Sequence, residues 1–116
     1  MSVTIYGIRN CDTMKKARAW LDDHKIEYSF HDYKKDGLTA ETLDGFFAKA
    51  DWEKLLNKAG TTFRKLAPEE RENVDAAKAR ELMLAQPSMV KRPVIEKDGK
   101  LLVGFKLDEY EAFFNA

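Results

Sequence analysis

The chain has 116 residues, of which 44% are hydrophobic and 34% charged, as expected of one globular domain with a solvated surface. Its 20 basic residues equal its 20 acidic residues, so no net positive charge exists to attract nucleic acid or an anionic membrane. No apolar run approaches the roughly 20 residues of a spanning helix, and nothing resembles a signal peptide. We therefore expect a cytoplasmic, monomeric, single-domain protein (1–116) without direct nucleic-acid or membrane partners.

The metal-binding residue types are scarce. One cysteine and two histidines cannot supply the ligand set of a structural zinc site, and no cysteine cluster is present. A lone cysteine also cannot form an internal disulfide. The sequence therefore predicts neither a metal site nor a bound cofactor.

The N-terminal segment predicts a strand followed by a helix. Residues 3–8 form a short β-branched, alternating run that suits an interior strand ending at Gly7. From residue 13 to about 24, apolar side chains recur at spacings of three and four, which indicates an amphipathic helix. Asn10 or Asp12 is the expected N-cap.

Residues 26–31 alternate apolar and polar side chains, the pattern of a second strand. Because one helix separates the two strands, they form a βαβ unit and are expected to be parallel.

The strand pattern is absent over the next stretch, and a helical insertion is predicted at about 35–88. Thr39 is placed to begin a helix, Gly60 to end one, and Asp75 to begin another that stops at Pro87. The insertion is therefore predicted to be a helical subdomain.

The C-terminal segment predicts a β-hairpin and a last helix. Asp98 and Gly99 lie between the apolar runs 94–95 and 101–103, which is a strong short-range hairpin pattern. A helix over 107–114 closes the chain. The order β-α-β, helices, β-β-α is that of an α/β thioredoxin-like fold with a mixed four-stranded sheet, one of several α/β folds that fit the pattern.

Cys11 lies between the first strand and the first helix. At a helix N-terminus, free backbone N–H groups and the positive end of the helix dipole stabilise a thiolate, which is the reactive form of cysteine. Arg9 adds a cation close by in sequence. The alternative is a buried and inert cysteine.

Three segments then resemble a known family: CDTMKKA at 11–17, LLNKAGTTFR at 55–64, and QPSMVKRPV at 86–94. Together they are similar to the glutaredoxin-coupled arsenate reductase and Spx-like family, in its YffB-like branch. The resemblance spans essentially the whole chain, and the Arg92-Pro93 block with Gly104-Phe105 downstream is more specific than a lone cysteine.

The resemblance implies roles for three residues. Cys11 would be the nucleophile, and Arg92 would hold an anionic ligand or the leaving thiol beside it. Pro93 would be the cis-proline that lies opposite the cysteine in thioredoxin-like folds and presents the neighbouring backbone to an extended thiol substrate.

The chain departs from the arsenate-reducing members, which are expected to hold the oxyanion with three arginines and to carry a histidine near the nucleophile. Only Arg92 is retained, because Asn57 and either Gly104 or Phe105 align with the other two arginines, and Gly7 aligns with the histidine. Each lost charge-assisted anchor is worth about 1.5–3 kcal/mol. Arsenate is therefore a poor candidate substrate.

Spx-like regulators commonly have a second cysteine where this chain has Met14. An internal redox switch is thus impossible, and an external thiol must complete any turnover. Glutathione is the expected co-substrate in a reducing compartment.

These observations predict a glutathione-dependent thiol/disulfide reductase with Cys11 as its catalytic residue. Its substrates would be glutathione, a small thiol or oxyanion, or a protein disulfide. The candidate glutathione-binding residues flank Cys11 or belong to the two other segments that carry the resemblance, and they are Arg9, Asn10, Asp12, Thr13, Arg64, Lys91, Arg92 and Pro93.

Three alternatives stay open at this point. The chain could be an arsenate reductase, or a Spx-like regulatory module that docks on RNA polymerase without needing a reactive sulfur. In the third, the fold is retained and Cys11 is inert.

Overall fold

The computed structural model describes residues 3–9 and 11–115, which divide into two compact units. The sheet unit combines the N-terminal segment up to Asp36 with the C-terminal segment from Arg92. The helical unit is the intervening Gly37–Lys91. The assignment of both units to one domain stays a prediction.

A four-stranded sheet in the order β2-β1-β3-β4 is the centre of the sheet unit. Its strands are Val3–Gly7 (β1), Ser29–Asp32 (β2), Val94–Lys97 (β3) and Lys100–Val103 (β4). β1 pairs in parallel with β2 and antiparallel with β3, which pairs antiparallel with β4. The predicted thioredoxin-like α/β fold with a mixed sheet is confirmed.

The described chain contains eight α-helices, and one short 3-10 helix at Pro87–Met89. The α-helices are Asp12–Asp23 (α1), Tyr33–Asp36 (α2), Ala40–Lys49 (α3), Trp52–Leu55 (α4), Thr61–Arg64 (α5), Pro68–Arg71 (α6), Ala76–Ala85 (α7) and Leu107–Asn115 (α8). Within the ranges 3–9 and 11–115, none of the helices is long and apolar enough to cross a bilayer.

The strand register brings three chain segments to one edge of the sheet. Gly7 at the end of β1 is opposite Asp32 at the end of β2, and Tyr6 is opposite Val94 at the start of β3. The segments that follow β1 and β2 and the segment that precedes β3 therefore lie at the same edge, which we call the β1 carboxyl edge. Cys11 belongs to the first of these segments.

The core of the sheet unit explains why α1 forms where it does. The apolar stripe of α1 is buried against the sheet together with one face of α8. The buried members of this cluster are Val3, Ile5, Met14, Ala17, Trp20, Leu21, Ile95 and Tyr110. Burial of each large side chain contributes about 1.5–3 kcal/mol, so the stripe fixes the rotation and the start of α1.

β2 begins later than predicted. The alternation from Ile26 indicated a strand, but the chain pairs with β1 only from Ser29. Lys25 adopts a positive φ of 56° after α1, and the Ile26 N–H still donates to the Leu21 carbonyl at 2.9 Å. Ile26 and Tyr28 pack on the core without being part of the strand, because the backbone there still completes the end of the helix.

The helical unit contains helix caps that the sequence predicted, and one that it misassigned. The Thr39 side chain accepts from the Thr42 N–H at 3.1 Å, and Asp75 caps α7 in the same way. Gly60, however, is the N-cap of α5 and does not end a helix. The preceding helix ends at Leu55, because Leu56 pairs with Val90 in an isolated β-bridge.

The β3–β4 hairpin is confirmed. Its two turn residues, Asp98 and Gly99, have φ values of 51° and 77°. Positive φ at both positions is the requirement of the tight turn that matches the twist of paired strands.

The Thr39 cap gives a stability prediction. Replacement of Thr39 by Ala removes the acceptor of the Thr42 N–H and should lower the free energy of unfolding by about 1 kcal/mol, measured by urea denaturation. Thr39→Ser retains the hydroxyl and should stay close to wild type. Equal losses in the two variants would contradict the capping role.

Candidate functional site

Cys11 is the N-cap residue of α1. Its backbone is extended, with φ −121° and ψ 131°, and its carbonyl accepts the Lys15 N–H at 3.0 Å. The expectation that Asp12 caps the helix is wrong, because Asp12 is the first helical residue, and Asn10 lies outside the described residues. The half-buried sulfur is therefore placed directly at the first turn of the helix.

The electrostatic surroundings of the Cys11 thiol favour its ionised form. Partial burial raises its pKa, but the backbone N–H groups of Met14 and Thr13 and the Arg92 side chain favour the charged sulfur. Their combined effect, together with the positive charge of Arg92, lowers the pKa below its ordinary value. The thiol is therefore more acidic than an unperturbed cysteine.

The segment before β3 supplies the cation. The Arg92–Pro93 peptide bond is cis, as the family resemblance implied. Pro93 is buried, and its carbonyl accepts the Gly104 N–H at 2.8 Å. Arg92 is thus held at the β1 carboxyl edge, where its side chain lowers the pKa of Cys11.

The other predicted residues around the cysteine differ in their exposure to solvent and in whether they act on the sulfur. Thr13 is half-buried and contributes its backbone N–H, whereas Arg9 and Asp12 are exposed. The cation that lowers the thiol pKa is Arg92, and Arg9 is not among the groups that do so. Whether Arg9 and Asp12 contact a substrate stays a prediction.

Arg64 and Lys91 belong to the helical unit. Arg64 is exposed at the end of α5 and lines a cavity of about 410 Å³ with Thr61, Lys65 and Arg71. Lys91 is exposed, and its N–H donates to the Leu55 carbonyl at 2.7 Å. Their participation in a site with Cys11 stays a prediction.

Sequence reasoning missed Tyr33, which follows β2 at the β1 carboxyl edge. Its side chain is 2% exposed, and its ring stacks on Tyr6 with centroids 6.4 Å apart. The turn around it is fixed, because the Asp32 carboxylate accepts the Lys34 N–H at 2.9 Å and Asp36 accepts the Asp32 N–H at 3.2 Å. The Tyr33 hydroxyl has no hydrogen-bond partner among the described residues.

The charge of Arg92 acts on Tyr33 as well as on Cys11. Burial and the proximity of Tyr6 raise the pKa of Tyr33 far above its ordinary value, and Arg92 opposes this rise. Tyr33 is therefore a neutral phenol near the guanidinium. The one clue in the sequence was its position directly after a predicted strand of a parallel pair.

Met14 closes the space beside Gly7. A Cβ atom at position 7 would overlap the sulfur of Met14, which is fully buried in the core. Any side chain at position 7 would displace Met14, so the aligned histidine of arsenate-reducing proteins would fit here only if Met14 moved.

The parts of the chain that the structure describes contain no group of three or more His, Cys, Asp or Glu side chains that could hold a metal ion. The chemistry available at this edge is that of a thiol, a guanidinium and backbone N–H donors.

Comparisons with known proteins extend over nearly the whole chain. The sequence profile described as the ArsC family matches residues 6–113. An uncharacterised Haemophilus influenzae protein is 44% identical over 112 residues, which cover 97% of this chain and 98% of the relative. The Lactococcus lactis protein named global transcriptional regulator Spx 1 is 28% identical, over 96% of this chain and 88% of its own length.

Solved structures of similar proteins also match this chain over nearly its whole length. A protein named YFFB superposes with a TM-score of 0.91 at 58% identity, covering 96% of this chain and 97% of that one. A Brucella melitensis protein described as arsenate reductase (ArsC) related is 73% identical, with a TM-score of 0.81, covering 100% of this chain and 97% of its own.

The contact between Arg92 and Cys11 gives the first site prediction. Arg92→Gln removes the charge and the charge-assisted hydrogen bond, so the apparent pKa of Cys11 should rise toward its ordinary value of about 8.5. The measurement is the rate of alkylation by iodoacetamide as a function of pH.

Arg18→Gln is the matched control, because Arg18 is also a partly buried arginine of the sheet unit and its guanidinium lies 4.8 Å from the centre of the Phe30 ring. It should leave the alkylation profile unchanged. A wild-type profile in Arg92→Gln would contradict the assigned contact.

The buried Tyr33 hydroxyl gives the second site prediction, which concerns stability. A buried donor without a partner costs about 1–3 kcal/mol, so Tyr33→Phe should leave stability equal or raise it by about 1 kcal/mol. Urea denaturation measures the change. Tyr28→Phe is the control, since the Tyr28 hydroxyl accepts from Arg18 at 3.2 Å and its loss should not stabilise. A clear loss of stability in Tyr33→Phe would refute an unpartnered hydroxyl.

Proposed function

Because the chain belongs to the ArsC family, we propose that it is a thiol–disulfide oxidoreductase in which Cys11 is the nucleophile and glutathione is the resolving thiol. The observation that carries this proposal is the acidified thiol at the start of α1, beside Arg92. A thiolate at neutral pH is the reactive species in disulfide exchange.

The reaction proceeds in two exchange steps. The Cys11 thiolate attacks the glutathionyl sulfur of a mixed disulfide, the original S–S bond breaks, and the substrate leaves as a thiolate that takes a proton from solvent. A second glutathione thiolate then attacks the sulfur of glutathione bound to Cys11. This step forms oxidised glutathione and regenerates the Cys11 thiolate, so the substrate disulfide is reduced and glutathione is oxidised.

The groups around the sulfur support both steps. The N–H donors of Thr13 and Met14 and the guanidinium of Arg92 stabilise negative charge on Cys11, which is the nucleophile in the first step and the leaving group in the second. A leaving thiol of low pKa departs faster, so one arrangement accelerates formation and release of the mixed disulfide.

The need for an external thiol follows from composition. Cys11 is the only cysteine among 116 residues, so no second thiol of the chain resolves the mixed disulfide. Glutathione fits this role as a small thiol with carboxylates that arginine and lysine can bind. No metal or other bound cofactor takes part, and one copy of the chain suffices.

Glutathione recognition is assigned to the basic and polar residues predicted from the sequence. Arg92 acts electrostatically on the sulfur, and an extended peptide-like thiol can pair with the backbone at Pro93. Arg64, Arg92 or Lys91 is proposed as the cation for each carboxylate. Arg9 is proposed to shape the loop before the cysteine. A glutathionylated protein is a substrate of the same chemistry.

Arsenate fits less well than a disulfide. A histidine at position 7 would have to displace the Met14 side chain, which fills that space. Gly104 has a φ of 86°, which disfavours an arginine there, and the Phe105 ring packs edge-on against Tyr110 with centroids 4.7 Å apart. The positions that would hold an oxyanion thus have other structural uses.

The second candidate is a regulatory module that binds RNA polymerase. It is favoured by relatives named Spx, which are 27–29% identical over nearly the whole chain. Binding of that kind needs a partner surface and no reactive sulfur, so it is separable from the first candidate by the dependence on Cys11.

The experiment is a glutathione-coupled disulfide reductase assay with wild type and Cys11→Ser. Wild type should form one mixed disulfide with glutathione, detected by intact mass, and turn over a glutathionylated peptide. Cys11→Ser should show neither, and arsenate should give no turnover above the background without enzyme. Serine is isosteric with cysteine but is not ionised at neutral pH, so the fold is unchanged in this control.

Absence of the mixed disulfide and of turnover in wild type would reject the reductase. Capture of purified RNA polymerase by both wild type and Cys11→Ser would then establish the regulatory candidate. Arsenate turnover that requires Cys11 would identify an arsenate reductase instead.

A further inference from the structure

Tyr110 in α8 is a fully buried phenol whose ring belongs to the core of the sheet unit and whose hydroxyl has no part in the exchange chemistry described above. Its side chain is 0% exposed, and its hydroxyl donates to the carbonyl oxygen of Gly104 at 2.7 Å. Gly104 follows β4 with a φ of 86°, a conformation that glycine adopts without strain. Tyr110 therefore ties the bend after β4 to α8.

Gly104 is also hydrogen-bonded to Pro93, the second residue of the cis peptide bond. The Gly104 N–H donates to the Pro93 carbonyl at 2.8 Å. Since Val94 is opposite Val103 in the register, Pro93 and Gly104 form the next pair beyond the β3–β4 ladder. A continuous path thus runs from the Tyr110 hydroxyl through Gly104 to Pro93 and to Arg92, whose side chain lowers the pKa of Cys11.

The Tyr110 ring is itself fixed by its neighbours. It meets the Trp20 ring edge-on with centroids 5.4 Å apart and the Phe105 ring at 4.7 Å. Trp20 belongs to α1, the helix that begins at Cys11. The packing that orients α1 therefore also orients the hydroxyl that holds Gly104, so the two sides of the Cys11–Arg92 contact depend on one residue.

We propose that Tyr110 is a positioning residue for the reaction at Cys11, which acts by holding Gly104 and, through the Gly104–Pro93 hydrogen bond, the Arg92 side chain against the sulfur. This assignment rests on the proposed thiol–disulfide exchange for its catalytic consequence. Tyr110 touches no reacting atom.

The hydroxyl is a constant donor over the range in which the cysteine titrates. Burial, with a smaller contribution from Glu109, raises the pKa of Tyr110 well above its ordinary value, so the phenol does not ionise. The Gly104 carbonyl receives its hydrogen bond at every pH at which disulfide exchange is measured.

The test is Tyr110→Phe, which removes one hydroxyl and preserves the ring packing. The apparent pKa of Cys11, from pH-dependent alkylation, should rise by about 0.5–1 unit, which lowers the thiolate fraction roughly 3- to 10-fold below both pKa values. Glutathione-dependent turnover at neutral pH should fall by a similar factor and should recover as the pH is raised. Urea denaturation is measured in parallel.

Tyr28→Phe is the matched control, because it removes a hydroxyl of the same unit that accepts from Arg18 at 3.2 Å. It should leave the alkylation profile and the pH dependence of turnover unchanged. If Tyr110→Phe loses stability but retains the wild-type pKa of Cys11, the role of Tyr110 is structural only and the proposal is overturned.

Gly104→Ala provides a second route if Tyr110→Phe folds poorly. A Cβ at a φ of 86° is strained although it would meet no atom within 4 Å, so the turn should shift and the pKa of Cys11 should rise in the same direction. An unchanged pKa in this variant also counts against the proposal. A raised pKa in both variants without any wild-type turnover supports the positioning and rejects the proposed reductase.

Discussion

The first turn of α1 and the Arg92 side chain stabilise negative charge on the Cys11 sulfur, and the rest of the site depends on this electrostatic interaction. They oppose the cost of partial burial, which alone would keep the thiol protonated. The donors come from different parts of the chain. The helix supplies Thr13 and Met14 locally, whereas Arg92 arrives from a segment about 80 residues later, at the start of β3. The sheet register is what brings these groups together.

Local patterns were sufficient for much of the fold. The alternation of β1, the apolar stripe of α1 and the Asp98-Gly99 turn each specify their structure within a few residues. Two errors were local, because α1 begins at Asp12, which therefore does not cap it, and the end of α1 delays β2 to Ser29. The third occurred where a distant contact decides the outcome. Leu56 leaves its helix to pair with Val90, and so Gly60 becomes the cap of the next helix. Propensity near Gly60 contains no information about Val90.

In the candidate site, too, some residues could be predicted from local sequence and others could not. A cysteine at the start of α1 was predictable from sequence, because strand, turn and helix follow one another directly there. Arg92 and the cis bond at Pro93 came from the family resemblance, since nothing in their own residue types distinguishes them from a solvated arginine and an ordinary trans proline. Tyr33 was missed because its burial depends on the register of β2 with β1 and on packing against Tyr6.

The absence of a side chain at Gly7 and the position of the Met14 side chain depend on each other. The thioether fills the volume that any side chain at position 7 would need, and it is also part of the core beneath the helix. A histidine beside the nucleophile would therefore require the Met14 side chain to move or to be replaced by a smaller one, at a cost in core packing. The residue at position 14 thus restricts which side chains position 7 accepts, and the chemistry beside the nucleophile is coupled to the packing beneath the helix.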